Sequence, residues 1–178
     1  MKTAFLFPGQ GAQSVGMGKD VAEEFAAAAE VYEEANRIVG YDLAAVCFEG
    51  PQEKLNSTVV SQPAIFVTSA AMLAAVRETG GQIKADVTAG LSLGEYTALY
   101  AAGLIGFEDG LRLVQERGAA MQAAAEASEG AMVSIIGLDE DKVRRLCDEA
   151  RQGQLLEPVN FNCPGQIVIS GAEENLTQ

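Results

Sequence analysis

The sequence predicts an α/β fold with a mostly parallel sheet, joined to a smaller β-α-β-β module. Three observations carry that expectation. Short apolar runs at 3–7 and 85–91 are each followed by a turn and a helical pattern, the alternation that builds parallel sheets. The second run leads into Gly90-Leu91-Ser92-Leu93-Gly94 and at once into an Ala- and Leu-rich helix. Beyond a small-residue, polar stretch from Glu126 to Gly130 the order becomes strand, helix, strand, strand, which places a boundary between residues 1–126 and 127–178.

Each element has a local reason. The run at 3–7 is stopped by Pro8-Gly9-Gln10-Gly11. Residues 19–38 read as one helix: Val21, Phe25, Ala28, Tyr32, Ala35 and Val39 recur at spacings of three and four, and Gly40 ends it. Asp42–Phe48 is a short helical turn, and Pro51 opens another ending near Asn56. Ser61 is read as the N-cap of a strong helix with the stripe Ile65, Met72, Leu73 and Val76, stopped by Gly80-Gly81. Glu95–Ala102 is helical up to Gly103, and Phe107-Glu108-Asp109 opens a helix reaching about Ala125. Ala131–Ile136, Leu155–Phe161 and Gln166–Ser170 are strands, and Asp139 starts the helix between the first two. Ser170-Gly171-Ala172-Glu173 is a capping-box pattern announcing a further helix.

The segment around Ser92 has the grammar of a nucleophile elbow: strand, tight turn, helix, with serine at the apex. The apex backbone is strained, so the residues two before and two after must be small. The helix behind the serine points N–H groups and the positive end of its dipole at a developing oxyanion. A plain Gly/Ser turn between strand and helix fits the same local pattern. The loop Pro8–Gln13 lacks the Gly-Lys-Ser/Thr of a phosphate loop. It reads either as a simple turn or as backbone N–H donors for half of an oxyanion hole.

Two arginines on the 107–125 helix contrast. Arg112 has Glu108, Asp109 and Glu116 within ion-pairing offsets. Arg117 has only Leu113, Val114, Ala120 and Met121 there, so its face reads as buried and its charge needs a partner. Either the arginine snorkels along the apolar surface or pairs with a distant Asp or Glu, or its partner is the carboxylate of a substrate held bidentately.

Composition narrows the function. The 178 residues are 48% hydrophobic, enough for a sizeable core. Twelve Lys and Arg against 25 Asp and Glu leave −13, which argues against nucleic acid and anionic membranes as partners. The N-terminal apolar run is too short for a signal-peptide core or a membrane span, and no other run is read as spanning length. Cys47, Cys147 and Cys163 are far apart and read as reduced thiols of a cytoplasmic protein. There is no histidine, so imidazole metal ligation is excluded and a serine nucleophile lacks its usual base.

The motifs together resemble the malonyl-CoA:acyl-carrier-protein transacylase family. They are Phe5-Leu6-Phe7-Pro8-Gly9-Gln10-Gly11-Ala12-Gln13, Ser61-Gln62-Pro63-Ala64, Gly90-Leu91-Ser92-Leu93-Gly94-Glu95-Tyr96, Arg117-Gly118 and Pro158-Val159-Asn160-Phe161-Asn162. The resemblance implies the N-terminal part of an α/β-hydrolase-like large subdomain, incomplete, in residues 1–126 and a partial, ferredoxin-like small subdomain in 127–178. It implies that Ser92 carries a malonyl ester, and that the backbone N–H groups of Gln10 and Leu93 form the oxyanion hole. It further implies that Arg117 binds the free malonyl carboxylate, with Met121, Leu91, Asn160 and Asn162 also on the substrate side. Malonyl-CoA is then a substrate rather than a bound cofactor, no cofactor is permanently held, and acyl carrier protein is the acceptor.

Many members carry histidine where this chain has Leu91. The family's catalytic histidine follows the small subdomain, so the chain resembles the N-terminal portion only. By itself it is expected to be incomplete for turnover, and the missing C-terminal portion of the same enzyme is counted as a partner. Two other readings stay open: a protein that binds acyl-CoA or a carrier protein without catalysis, and a serine hydrolase.

Overall fold

The computed structural model describes residues 2–79, 83–127 and 130–172. The chain divides into two compact units, Met1–Gln122 and Ala123–Gln178. In the first, β1 (Ala4–Phe7) and β2 (Val87–Gly90) pair in parallel, with Phe7 opposite Gly90. Around them lie α1 (Lys19–Glu24), α2 (Ala26–Val39), α3 (Leu43–Glu49), α4 (Gln52–Asn56), α5 (Thr58–Glu78), α6 (Gly94–Ala101) and the part of α7 (Phe107–Ala127) that precedes Ala123.

The core of this unit is built on α5. From Val60 through Ala71 every residue is buried, so the helix is enclosed all round instead of burying one stripe. Met72 and Val76, expected on that stripe, are 46% and 38% exposed. Phe66 lies against Phe107 and Tyr100, with ring centroids 5.8 and 5.9 Å away, and Leu43, Leu55, Leu93 and Leu111 complete the interior. Each such side chain contributes about 1.5–3 kcal/mol by leaving water. Among the described residues α5 is the one helix long and apolar enough to cross a membrane, contrary to the expectation that no run reaches that length. Its burial shows why it has that composition: it is surrounded by protein.

Two boundaries differ from expectation. The helix read over 19–38 is two helices, because Phe25 is extended (φ −117°, ψ 119°). The apolar period persists across the break because Phe25 still packs on the core. Helix α5 begins one turn before Ser61, with the amides of Val60 and Ser61 donating to the Ser57 carbonyl at 2.9 and 2.7 Å. Pro63 therefore lies inside the helix, where proline costs about 3 kcal/mol. Enclosure of the whole segment outweighs that cost. Gly80 and Gly81, read as the stop, lie outside the described residues; the last helical residue is Glu78.

Gly40 ends its helix as expected, and the side-chain caps beside it are short-range. Gly40 closes α2 at φ 79°, and the Asp42 side chain accepts from the Ala45 amide at 2.9 Å. Asn36 Oδ1 accepts from the amides of Leu43 and Ala44, which turns the chain from α2 into α3.

The second unit contains β3 (Gly130–Ile136), α8 (Glu140–Ala150), β4 (Leu156–Cys163) and β5 (Gln166–Ala172). The antiparallel sheet has the order β3-β5-β4. Helix α8 buries Val143 and Cys147 against Leu156, Ile167 and Ile169. Asp139 caps α8, accepting from the Lys142 amide at 3.0 Å and from Lys142 Nζ at 2.6 Å. Those bonds hold its carboxyl below the usual range. Ser170 to Ala172, read as a helix cap, instead continue β5; Glu173 lies outside the described residues. Of the linker read at Glu126–Gly130, Glu126 belongs to α7 and Gly130 to β3, while Ser128 and Glu129 lie outside the described residues.

Candidate active site

The site begins with backbone that only glycine permits. A Cβ on Gly90 would sit 2.0 Å from the Gly94 carbonyl carbon, and one on Gly94 would sit 2.3 Å from the Phe7 carbonyl oxygen. The turn between β2 and α6 is therefore folded tightly on itself and against the end of β1. At its apex Ser92 adopts a left-handed conformation (φ 54°), where non-glycine residues are strained. The serine is exposed, while Leu93 behind it is fully buried and anchors the turn in the core.

The first loop reaches this turn. A Cβ on Gly9 would lie 2.6 Å from the Leu91 carbonyl oxygen, so the Pro8–Gln10 backbone passes directly against the elbow. The Gln10 side chain donates to Thr58 Oγ1 at 3.3 Å, which ties the loop to the start of α5. Gln13 holds the same loop, accepting from the Gly11 amide at 2.8 Å and donating to Asn56 at 3.1 Å. Among the described residues the backbone N–H groups of Gln10 and Leu93 make no hydrogen bond within the protein.

Helix α7 brings the charge. A Cβ on Gly118 would meet the Thr58 carbonyl oxygen at 3.1 Å, so the absence of a side chain lets α7 lie close on the beginning of α5. That approach sets Arg117 beside Gln62 and Ser92. Arg117 Nη1 donates to Gln62 Oε1 at 2.7 Å, and Nη2 donates to Ser92 Oγ at 2.7 Å. The guanidinium lies 5.9 Å from the Tyr96 ring centre, a favourable cation–π position. Its face is half-buried, not buried as the apolar offsets implied, since Leu113 and Met121 are 48% and 42% exposed. No carboxylate pairs with it among the described residues. Arg112 makes the expected contact, donating to Glu108 at 2.8 Å.

Ser92, Leu93, Arg117 and Met121 are thus gathered with the Gln10 loop, and Leu91 stands exposed on the same turn. Asn160 and Asn162 belong to β4 of the second unit, where Asn160 pairs with Val168. Gln62 was not singled out from the sequence as a site residue. The signal available in the sequence is its place in the Ser61-Gln62-Pro63-Ala64 motif, as a long polar side chain within a helix that is mostly apolar. Among the described residues no cluster of His, Cys, Asp or Glu is arranged to hold a metal.

Residues 4–178 match the acyl transferase domain. A malonyl CoA-acyl carrier protein transacylase of Escherichia coli (strain K12) is 48% identical over 171 residues, covering 96% of this chain and 55% of the relative. The transacylase of the same name from Bacillus subtilis (strain 168) is 45% identical over 176 residues, covering 98% and 55%. An acyl carrier protein S-malonyltransferase of Vibrio cholerae superposes with a TM-score of 0.93 at 44% identity, covering 99% of this chain and 57% of that one. A structure of a type II PKS acyl-carrier protein in complex with its malonyl-transacylase matches at TM-score 0.93 and 45% identity, with the same coverage. The chain spans about half the length of the curated relatives it matches. With the domain match running through nearly all of its length, the chain belongs to the acyl transferase domain family.

Proposed function

We propose that this chain carries the nucleophile and the acyl-selecting half of a malonyl-CoA:acyl-carrier-protein acyltransferase. The observation that carries this reading is the cation at the serine: Arg117 Nη2 lies 2.7 Å from Ser92 Oγ and has no acidic partner among the described residues. In a malonyl ester of Ser92 the free carboxylate is separated from Oγ by the ester carbonyl carbon and one methylene. A guanidinium beside Oγ is therefore within reach of that carboxylate, whereas an acetyl ester offers it nothing. Acylation also turns Oγ into a weak ester acceptor, which frees Nη2 for the carboxylate, a stronger charge-assisted partner.

In the first half-reaction Oγ attacks the thioester carbonyl as its proton leaves. The tetrahedral oxyanion is held by the unengaged N–H groups of Gln10 and Leu93, and collapse expels the CoA thiol. The second half-reaction reverses this with the carrier-protein thiol as nucleophile. Preorganised donors of this kind are worth about 10²–10³ in rate each. The sequence holds no histidine, so we infer that the general base, worth about 10²–10⁴, is supplied from outside these residues. Leu91, Met121, Asn160 and Asn162 are assigned to the substrate side on family resemblance. On the same footing, residues 1–126 are the N-terminal part of an α/β-hydrolase-like subdomain. The second unit is part of a ferredoxin-like one, supported by its β3-β5-β4 order. The reading implies a cytoplasmic protein with no permanently bound cofactor.

Intact-mass measurement after incubation with malonyl-CoA tests the assignment. The expected result is one malonyl adduct, located on Ser92 by peptide mapping and lost in Ser92→Ala. An adduct that persists in that variant overturns the nucleophile. Tight thioester binding without any adduct points to a non-catalytic binder, and rapid release of free malonate points to a hydrolase.

A further inference from the structure

The side chain that fixes Arg117 is itself fixed. Gln62 is completely enclosed in α5, with 0% of its surface exposed. Its Oε1 accepts from Arg117 Nη1 at 2.7 Å, and its Nε2 donates to Met121 Sδ at 3.2 Å. Only one orientation of the amide works. Turned over, it would set NH2 against a guanidinium donor and a carbonyl oxygen against a sulfur lone pair. The amide is therefore a rigid, one-way acceptor aimed at Arg117.

Its neutrality matters as much as its position. A half-buried arginine is ordinarily held by a carboxylate, which cancels its charge. Here the grip comes from a neutral oxygen and from a neutral hydroxyl, Ser92 Oγ, so the guanidinium keeps its full charge and its other N–H donors. We infer that Gln62 is the positioning residue that holds Arg117 for a ligand carboxylate without spending the charge that recognises it. This rests on the reading of Arg117 as the carboxylate's partner.

Two substitutions separate position from charge. Gln62→Glu is isosteric and keeps the acceptor, but adds an anion that pairs with Arg117 and repels a second carboxylate. Gln62→Met keeps the volume and removes the carboxamide acceptor. The measurement is calorimetric titration of the 178-residue chain with malonyl-CoA and, separately, with acetyl-CoA, every chain (wild type at position 62 or variant) carrying Ser92→Ala so that no acyl-enzyme forms. The wild type is expected to favour malonyl-CoA. Gln62→Glu is expected to weaken malonyl-CoA by about tenfold or more, the worth of one hydrogen bond to a charged group, and to leave acetyl-CoA unchanged. Gln62→Met is expected to shift the ratio in the same direction.

Weakening both thioesters equally would mean that Gln62 only packs, and would overturn the inference. A preference retained in both variants would overturn it too. A wild type with no malonyl preference sinks the role of Arg117 itself, and that of Gln62 with it, before any variant is compared.

Discussion

At the scale of single residues, Ser92 and Arg117 explain each other. The left-handed backbone of Ser92 aims its Oγ outward, and the arginine that meets it has no competing acid. Replacing Arg117 by Ala removes the cation proposed to meet the malonyl carboxylate while sparing the turn at Ser92, which is built from the glycines at 90 and 94. Acylation by malonyl-CoA is expected to fall by about ten- to a hundredfold, the worth of charged hydrogen bonds, while acylation by acetyl-CoA does not fall. An unchanged ratio of the two rates would sink the selecting role. The Gly-x-Ser-x-Gly spacing and the lack of an acid near Arg117 are both legible in the sequence, because each is set within one turn of chain. The partners of Arg117 are not: Gln62 and Ser92 lie 55 and 25 positions away. Nothing local records which polar side chains a folded core will turn toward one another.

At the scale of elements, the close approach of α7 to α5 positions the charge. Gly118→Leu would press a branched side chain on the Thr58 carbonyl and Val59 Cα, backbone atoms that cannot swing aside. A loss of about 1–3 kcal/mol in urea denaturation is expected from overpacking, with a drop in malonyl preference as Arg117 moves from Gln62. Wild-type stability together with wild-type selectivity would show that the helices have room to spare.

The packing of α2, α3 and α5 carries a pH signature. Burial pushes the Cys47 thiol up to about 12, a hydrogen bond to Thr68 offsetting only part of the effect. Burial likewise raises the Tyr32 phenol. Both groups keep their protons in the fold at pH values where the unfolded chain releases them. The Cys47 contribution is complete below the ordinary thiol pKa of 9.0 and that of Tyr32 below the ordinary phenol pKa of 10.0; each is lost as pH rises toward its folded value, by up to about 1.4 kcal/mol per pH unit. Denaturation followed from pH 8 upward is expected to show that decline, with a shallower slope in Cys47→Ala. Equal slopes would remove Cys47 as a source.

At the scale of the whole molecule, two cores of unequal size do separate work. The second unit rests on Val143, Cys147, Leu156, Ile167 and Ile169, with Ile135, Leu138 and Ala150 packed around them. So small a set tolerates little loss. Leu156→Ala is expected to cost about 2–5 kcal/mol and to speed hydrogen exchange across β3, β4 and β5. Unchanged protection in those strands would show that the sheet is held by something other than this cluster. In the first unit the parallel pair leaves apolar side chains bare on one face, Leu6 at 76% and Val87 at 60% exposure. Both segments read from the sequence as short apolar strands, and nothing in those runs records which face lies bare or what covers it.

The sequence by itself determined the family, the glycine-flanked turn at Ser92, the helix starts at Asp42 and Asp139, and the α/β alternation with its change of order after α7. These follow from short-range backbone sterics and from apolar periods that repeat within a few turns. Only the tertiary structure decided that α5 is enclosed on every side, which carries its first turn past Ser61 and keeps Pro63 within a helix. It alone decided that Phe25 breaks a continuous apolar period into two helices. It also decided that the charge at Ser92 is held by a neutral amide. The reason is common to all three: burial and close packing between segments distant in the chain outweigh local preferences of a few kcal/mol, and a linear pattern carries no record of which segments will meet.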